Sequence, residues 1–248
     1  MSAVLELIDI TKRYLAPDGT TTTVLDTASL TLQAGEELAL GGPSGAGKTT
    51  LLHIAAGLLL PTSGTAQVLG TTTNTLSEAA RDQFRAQNIG YVFQRANLLD
   101  GFSALENVLL AMGFAGTVPP GQRRARAAEL LAGVGLAERL HHRPNQLSSG
   151  QQQRVALARA IANAPTLVLA DEPTASVDYE TGRQIVGLLR RSCAERGAAL
   201  LLVSHDRALL ASFSQVIELR GGQLLTANHD MLDERPTVFF HEAAMAQV

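Results

Sequence analysis

Apolar residues recur along this chain in three different rhythms, and each predicts a different element. Near the N-terminus, Leu5, Leu7 and Ile8, then Val24 to Leu32, flank the turn-forming Ala16-Pro17-Asp18-Gly19, which predicts short strands in an antiparallel layer. Glu37-Leu38-Ala39-Leu40 ends in Gly41-Gly42 and is followed by a helix-type run from Thr49 to Ala56, so the order is strand, glycine loop, helix. Leu167 to Ala170 and Ala199 to Val203 are apolar at successive positions, as expected for parallel strands covered by helices on both faces. Between Asn97 and Asn145 the chain turns rich in Ala, Leu and Arg, interrupted at Gly116 to Gly121 by Pro119-Pro120, which predicts an inserted helical subdomain. The expected organisation is one domain over residues 1–248. Its α/β core and β layer span about 1–93 and 165–227, its helical subdomain about 94–164, and its tail 228–248, where Pro236 breaks any helix and Val238-Phe239-Phe240 is apolar enough to dock. No internal repeat or low-complexity linker divides the chain.

Composition narrows the function. The 248 residues are 46% hydrophobic, enough for a continuous core. A net charge of -3 supplies no basic field for a phosphate backbone, so nucleic acid is not an expected partner. The single Cys193 agrees with a reducing compartment. Neither a secretory leader nor a run of about 18 apolar residues occurs, so secretion and membrane spanning are not expected. Only two lysines are present, Lys12 and Lys48, which makes a lysine inside a glycine-rich loop conspicuous.

That loop is Gly42-Pro43-Ser44-Gly45-Ala46-Gly47-Lys48-Thr49, a match to GxxxxGK(S/T). Its glycines let backbone N–H groups wrap phosphates without a Cβ clash, and Lys48 reaches the β and γ phosphates. Because the loop opens a helix, unpaired N–H groups and the positive end of the helix dipole favour an anion there, and the Thr49 hydroxyl, followed by Thr50, can ligate Mg²⁺. Further along, the apolar strand Leu167 to Ala170 delivers Asp171 and Glu172 at the edge where α/β sheets bind ligands. Asp171 is expected to hold Mg²⁺ and Glu172 to act as the base that activates water, worth about 10²–10⁴-fold in rate. The bland alternative is that the pair caps a helix opening after Pro173. These residues alone define a phosphate-loop NTPase, whether kinase, GTPase or motor.

Leu147-Ser148-Ser149-Gly150-Gln151-Gln152-Gln153-Arg154 resembles the LSGGQ signature of the ABC ATPase family, shortly before the Asp171-Glu172 strand as in that family. Other family marks follow in order: Tyr14 ahead of the loop, Gln94 in Tyr91-Val92-Phe93-Gln94, Asp178 after Ala175-Ser176-Val177, and His205 in Ser204-His205-Asp206. The resemblance implies a P-loop NTPase core with a mostly parallel sheet, ATP and Mg²⁺ as cofactors, and ATP hydrolysis. It implies that Tyr14 stacks on adenine, Gln94 reaches Mg²⁺ or the attacking water, and His205 donates to the γ phosphate, with Glu172, His205 and Gln94 as the catalytic set. Taken singly, Tyr14 could be strand packing, Gln94 a strand-end polar residue and His205 a satisfied core histidine. Ser148, Ser149, Gly150 and Gln151 are expected at a helix N-terminus suited to phosphate, and in the family this segment faces the nucleotide of a second cassette. ATP would thus be clamped between two copies, and closure coupled to membrane subunits. Ser149 departs from the family's glycine, and a position needing φ > 0 would weaken closure.

The stretch Asn97 to Val108 and the short chain look like the ATPases of lipoprotein-releasing, macrolide-exporting and glycolipid-exporting systems. That branch implies integral membrane permease partners, a second cassette forming a homodimer, and a peripheral location on the cytoplasmic face of the inner membrane. Leu98 to Glu106 is the candidate docking surface; alternatively Leu98, Leu99 and Phe102 fill the helical lobe's own core. A cell-division ATPase regulating a membrane partner, or an importer ATPase, would share the nucleotide motifs. Nucleic-acid ABC ATPases need coiled-coil insertions or two cassettes, and neither is present.

Overall fold

The computed structural model describes residues 3–226; the tail segment around Pro236 and Val238-Phe239-Phe240 lies outside them. The N-terminal strands are longer than the sequence suggests: β1 (Ala3–Leu15) and β2 (Thr21–Gln33) have 13 residues each. The turn between them is closed by Ala16 N–H donating to the Thr20 carbonyl at 2.8 Å. Register shifts along β1, including one between Leu7 and Ile10, break a simple alternation, and this is why the pattern read as separate short strands. β4 (Ser63–Val68) and β5 (Thr71–Thr72) complete an antiparallel sheet in the order β2-β1-β4-β5.

The second sheet has the order β10-β9-β3-β8-β7-β6. Its strands β3 (Glu37–Gly41), β6 (Ile89–Val92), β7 (Leu167–Asp171), β8 (Ala199–Val203) and β9 (Val216–Arg220) are parallel, and β10 (Gln223–Thr226) closes one edge antiparallel. Although β7 up to Ala170 and all of β8 are apolar at successive residues, the pleat sends alternate side chains to opposite faces. Leu167, Leu169, Ala199, Leu201 and Val203 pack toward helix α1 (Lys48–Ala55) and the antiparallel sheet, with Leu5, Leu7, Ile10, Leu51 and Leu52. Val168, Ala170, Leu200 and Leu202 pack toward the helical side, with Val108, Met112, Leu131, Val155 and Leu189. The continuous apolar runs therefore serve two cores.

The helical side comprises α3 (Ala104–Ala115), α4 (Pro120–Gly133), α5 (Ser149–Ala160) and α6 (Tyr179–Ala194). Ser103 and Glu106 form a reciprocal capping box at the start of α3; Gly116, at φ 68, ends it. Pro120 opens α4, where its missing N–H costs no helical bond. The Gly116–Gly121 interruption thus separates two helices as its composition predicts. A helix not read from the sequence, α2 (Glu78–Asn88), leads into β6 and buries none of its residues, so the apolar period that announces most helices is missing. A one-turn α7 (Arg207–Leu210) follows β8. Among the described residues no helix is long and apolar enough to cross a membrane.

Candidate nucleotide site

Between β3 and α1 the chain doubles back so tightly that two loop positions exclude any side chain. Gly42 has φ 131, and a Cβ there would lie 2.4 Å from the Leu219 carbonyl oxygen; Gly47 has φ 101, with Val24 Cγ1 at 2.8 Å from a Cβ. No side chain caps α1, unlike α3, α5 and α6, so its first N–H groups are left for an anion. Lys48 is buried, and its ammonium donates to the Gly42 and Pro43 carbonyls at 2.8 Å each. Those two carbonyls hold the cation over the loop.

The loop floors a cavity of about 800 Å³ lined by Ser44, Gly45, Gly47, Lys48, Thr49, Thr50, Gln94, Glu172 and His205. Residues far apart in the chain are brought together because β3, β7, β8 and β6 all end at this edge of one parallel sheet. Glu172 follows β7 with φ 45, a left-handed value unusual for a residue with a Cβ. Its N–H donates to the Val203 carbonyl at 3.0 Å, which holds it in that conformation. Its Oε2 lies 2.8 Å from Nδ1 of His205. His205 is exposed, so it is no core histidine. The helix expected after Pro173 begins only at Tyr179, where Asp178 caps it by accepting from Thr181 N–H; Asp171 and Glu172 therefore cap nothing.

Asp171 is buried beneath the cavity, and its Oδ1 has no hydrogen-bond partner. Desolvation raises its pKa above the ordinary carboxylate range, opposed in part by Thr49, His53 and Lys48. A buried carboxylate oxygen left bare beside the Thr49 hydroxyl is the kind of donor a hard cation uses, so these residues fit Mg²⁺ and would hold it there.

The remaining expected residues do not line this cavity. Tyr14 is 45% exposed, so it is not strand packing; it pairs in register with Thr22, two residues along β2 from the cavity-lining Val24, and Lys12 sits 5.1 Å from its ring centre. Ser148 caps α5 in a reciprocal box with Gln151. Ser149 is the first residue of α5 and is not among the positive-φ positions, so serine in place of glycine introduces no backbone strain there. Gly150 is packed so closely on α6 that a Cβ would lie 2.6 Å from Thr181 Cγ2.

Three contributors were not legible as site residues. Val24 walls the cavity from β2. Gln153 is buried and donates to the Phe93 carbonyl at 2.9 Å, tying α5 to the segment that holds Gln94. Arg159 donates to the Ala96 and Asn97 carbonyls at 2.8 and 2.7 Å, fixing the chain just beyond. In the run Gln151-Gln152-Gln153 only the tertiary structure distinguishes the helix cap, the residue bonded to Pro144 and Leu147, and the one reaching Phe93 just beyond β6.

A phosphate-binding loop at the edge of a parallel sheet, a bare aspartate below it and a glutamate–histidine pair above it define a nucleotide triphosphatase of the α/β class. A family model described as ABC transporter matches residues 25–175, and the chain belongs to that family as an ATP-binding, ATP-hydrolysing subunit. It is 44% identical over 224 residues to an uncharacterized ABC transporter ATP-binding protein of Thermotoga maritima, covering 90% of this chain and 94% of that one. It is 41% identical to the lipoprotein-releasing system ATP-binding protein LolD of Psychrobacter arcticus, over 90% of this chain and 98% of the relative. Macrolide export ATP-binding/permease protein MacB of Nitrosomonas europaea is 38% identical over 99% of this chain and 37% of its own length. Among solved structures, the dimeric post-hydrolysis state of the ATP-binding cassette MJ0796 bound to ADP and Pi superposes with a TM-score of 0.83 at 37% identity, covering 90% of this chain and 99% of that one.

Proposed function

We propose that this chain hydrolyses Mg-ATP at an interface between two copies, and that the cycle drives integral membrane permease subunits of an exporting or mechanotransmitting system from the cytoplasmic face of the inner membrane. The observation behind the catalytic part is Glu172 held over the phosphate loop with its carboxylate 2.8 Å from His205. Lys48 and the α1 N-terminus hold the β and γ phosphates. Mg²⁺, held by Thr49, Asp171 and Gln94, would neutralise phosphate charge. Glu172 takes the proton of the attacking water as its oxygen bonds to the γ phosphorus and the bond to ADP breaks. His205 donates to the γ phosphate as charge builds on it, and Tyr14 stacks on adenine.

Ser148, Ser149, Gly150, Gln151 and Asp178 lie off the cavity in the single chain, which supports their acting on the nucleotide of a second copy. The dimeric title of the MJ0796 structure and the names of the LolD and MacB relatives support the dimer and the exporter branch. Leu98 packs against the helical lobe's core, whereas Leu99 and Phe102, 51% and 40% exposed, do not fill it, and the exposure of these two supports Leu98 to Glu106 as the permease-docking surface.

Mg²⁺-dependent phosphate release by the purified chain, compared with Glu172→Gln while light scattering follows mass, tests the reading. The parent turns over and the variant dimerises with ATP. Equal turnover in the two proteins removes Glu172 from the chemistry.

A further inference from the structure

Of the chain's two lysines, Lys48 lies in the phosphate loop; the other, Lys12, stands on β1 two residues before Tyr14. Lys12 pairs with Leu25 and Arg13 with Thr23, so β2 carries an extra residue here, Val24. This bulge sets Val24 against Gly47 as part of the cavity wall. β1 carries no extra residue at this point, and Lys12 and Tyr14 therefore share one face of it. The Lys12 ammonium lies 5.1 Å from the centre of the Tyr14 ring, within cation–π range, and donates to the Leu60 carbonyl at 2.9 Å. Leu60 belongs to the segment between α1 and β4, which β1 grips on either side of Lys12. Thr62 N–H donates to the Thr11 carbonyl at 2.8 Å, and Arg13 N–H donates to the Thr62 hydroxyl at 3.0 Å. The position of the cation is thus fixed by anchored backbone rather than by a flexible partner side chain. Tyr14 remains 45% exposed, so its ring is held on one side and open on the other.

Resting on the reading that Tyr14 stacks on adenine, we propose that Lys12 is the positioning residue of the base site: held by the Leu60 carbonyl, its ammonium takes one face of the Tyr14 ring and leaves the other to the purine. An exposed tyrosine loses rotamer freedom when a base stacks on it. A ring already held by the cation has lost part of that freedom beforehand, so the base binds at a lower entropic cost. The cation also draws on the ring's negative π face, which lessens repulsion between the π clouds of ring and purine. Both effects act on the base and leave the phosphates to Lys48 and the α1 N-terminus. Because the base is remote from the reacting γ phosphorus, the gain is the same in ground and transition states and falls on KM rather than kcat.

Calorimetric titration of the full chain with Mg-ATP and with Mg-tripolyphosphate, which has the phosphates and no base, tests this. Lys12→Met should weaken ATP about threefold, as for an exposed cation–π contact, raise KM by a similar factor and leave tripolyphosphate affinity at the parent's value. Lys12→Arg, which keeps a cation, should restore ATP binding. In a Tyr14→Ala background Lys12→Met should have no further effect. Equal losses for the two ligands, an undiminished loss in the Tyr14→Ala background, no loss at all, or failure of Lys12→Arg to restore binding overturns the proposal. Tyr14→Ala by itself separates the two readings. If it leaves the ratio of the two affinities unchanged, the adenine reading fails and this one with it; if it lowers the ratio and Lys12→Met does not, this proposal fails alone. Should Lys12→Met not fold, NMR of the parent chain decides. Its two lysines give two ε-methylene signals; that of Lys12 should stand upfield under the Tyr14 ring current and move with Mg-ATP but not with tripolyphosphate. Two ε-methylene signals at ordinary positions, or an upfield signal that responds to both ligands alike, overturn the proposal.

Discussion

Glu172 combines two features that a freely chosen surface carboxylate would lack: a left-handed backbone and a hydrogen-bonded contact to a histidine just beyond β8. Strain of this kind costs about 1–3 kcal/mol and persists only where the surroundings impose it; here the Val203 carbonyl does so. Glu172→Gln keeps the shape and removes the basicity, so turnover should fall at least about 100-fold while ATP affinity, read by calorimetry, stays within a factor of about three of the parent. One residue earlier, burial raises the pKa of Asp171 above its ordinary value. An acid with a raised pKa destabilises the nucleotide-free protein at pH above that pKa, and the penalty disappears as pH falls through it. Asp171→Asn should therefore raise the thermal midpoint at neutral pH and lose Mg²⁺-dependent turnover. A lower midpoint, measured by scanning calorimetry without nucleotide, would contradict this account.

At the scale of elements, helix starts do much of the positioning. Ser103 N–H and hydroxyl both donate to Glu106, at 2.7 and 2.8 Å, and these bonds hold the glutamate's pKa below its usual range. A depressed carboxylate pKa stabilises the fold above the unfolded value, near about 4.3, and that contribution is lost as pH falls through the folded one. Ser103→Ala should cost about 1 kcal/mol at neutral pH, and the gap between variant and parent in chemical denaturation should narrow in acid. At α5 the constraint is packing instead: Gly150→Ala sets a Cβ 2.6 Å from Thr181 and must push α5 from α6. Because Gln153 links α5 to the chain beside Gln94, this substitution should lower both stability and turnover, and Thr181→Ser should partly restore both.

For the molecule as a whole, the phosphate-loop cavity and the α5 N-terminus are separate within one chain, and the proposed site is complete only when a second copy supplies Ser148 to Gln151. With ATP, Glu172→Gln should double its mass from 26.2 kDa in light scattering, and Lys48→Ala should stay at the lower mass because the cation over the loop is gone.

Motifs whose chemistry depends on neighbours in sequence were readable directly. The phosphate loop, the Asp171-Glu172 strand end and the Ser148 segment each place functional groups through local backbone, so residue types and spacing suffice. Parallel strands were legible as unbroken apolar runs, since both faces meet a core. The length of β1, broken by bulges, and α2, whose half-buried face carries Arg81, Arg85 and Asn88 beside Phe84, were not legible, because neither offers a regular apolar period. What tertiary structure alone decided is which distant groups converge: His205 on Glu172, Val24 over Gly47, Gln153 on Phe93 and Arg159 on Ala96. Those meetings follow from the strand order β3-β8-β7-β6 and from how α5 docks across β6, long-range choices settled by the packing of both cores rather than by any local run of residues.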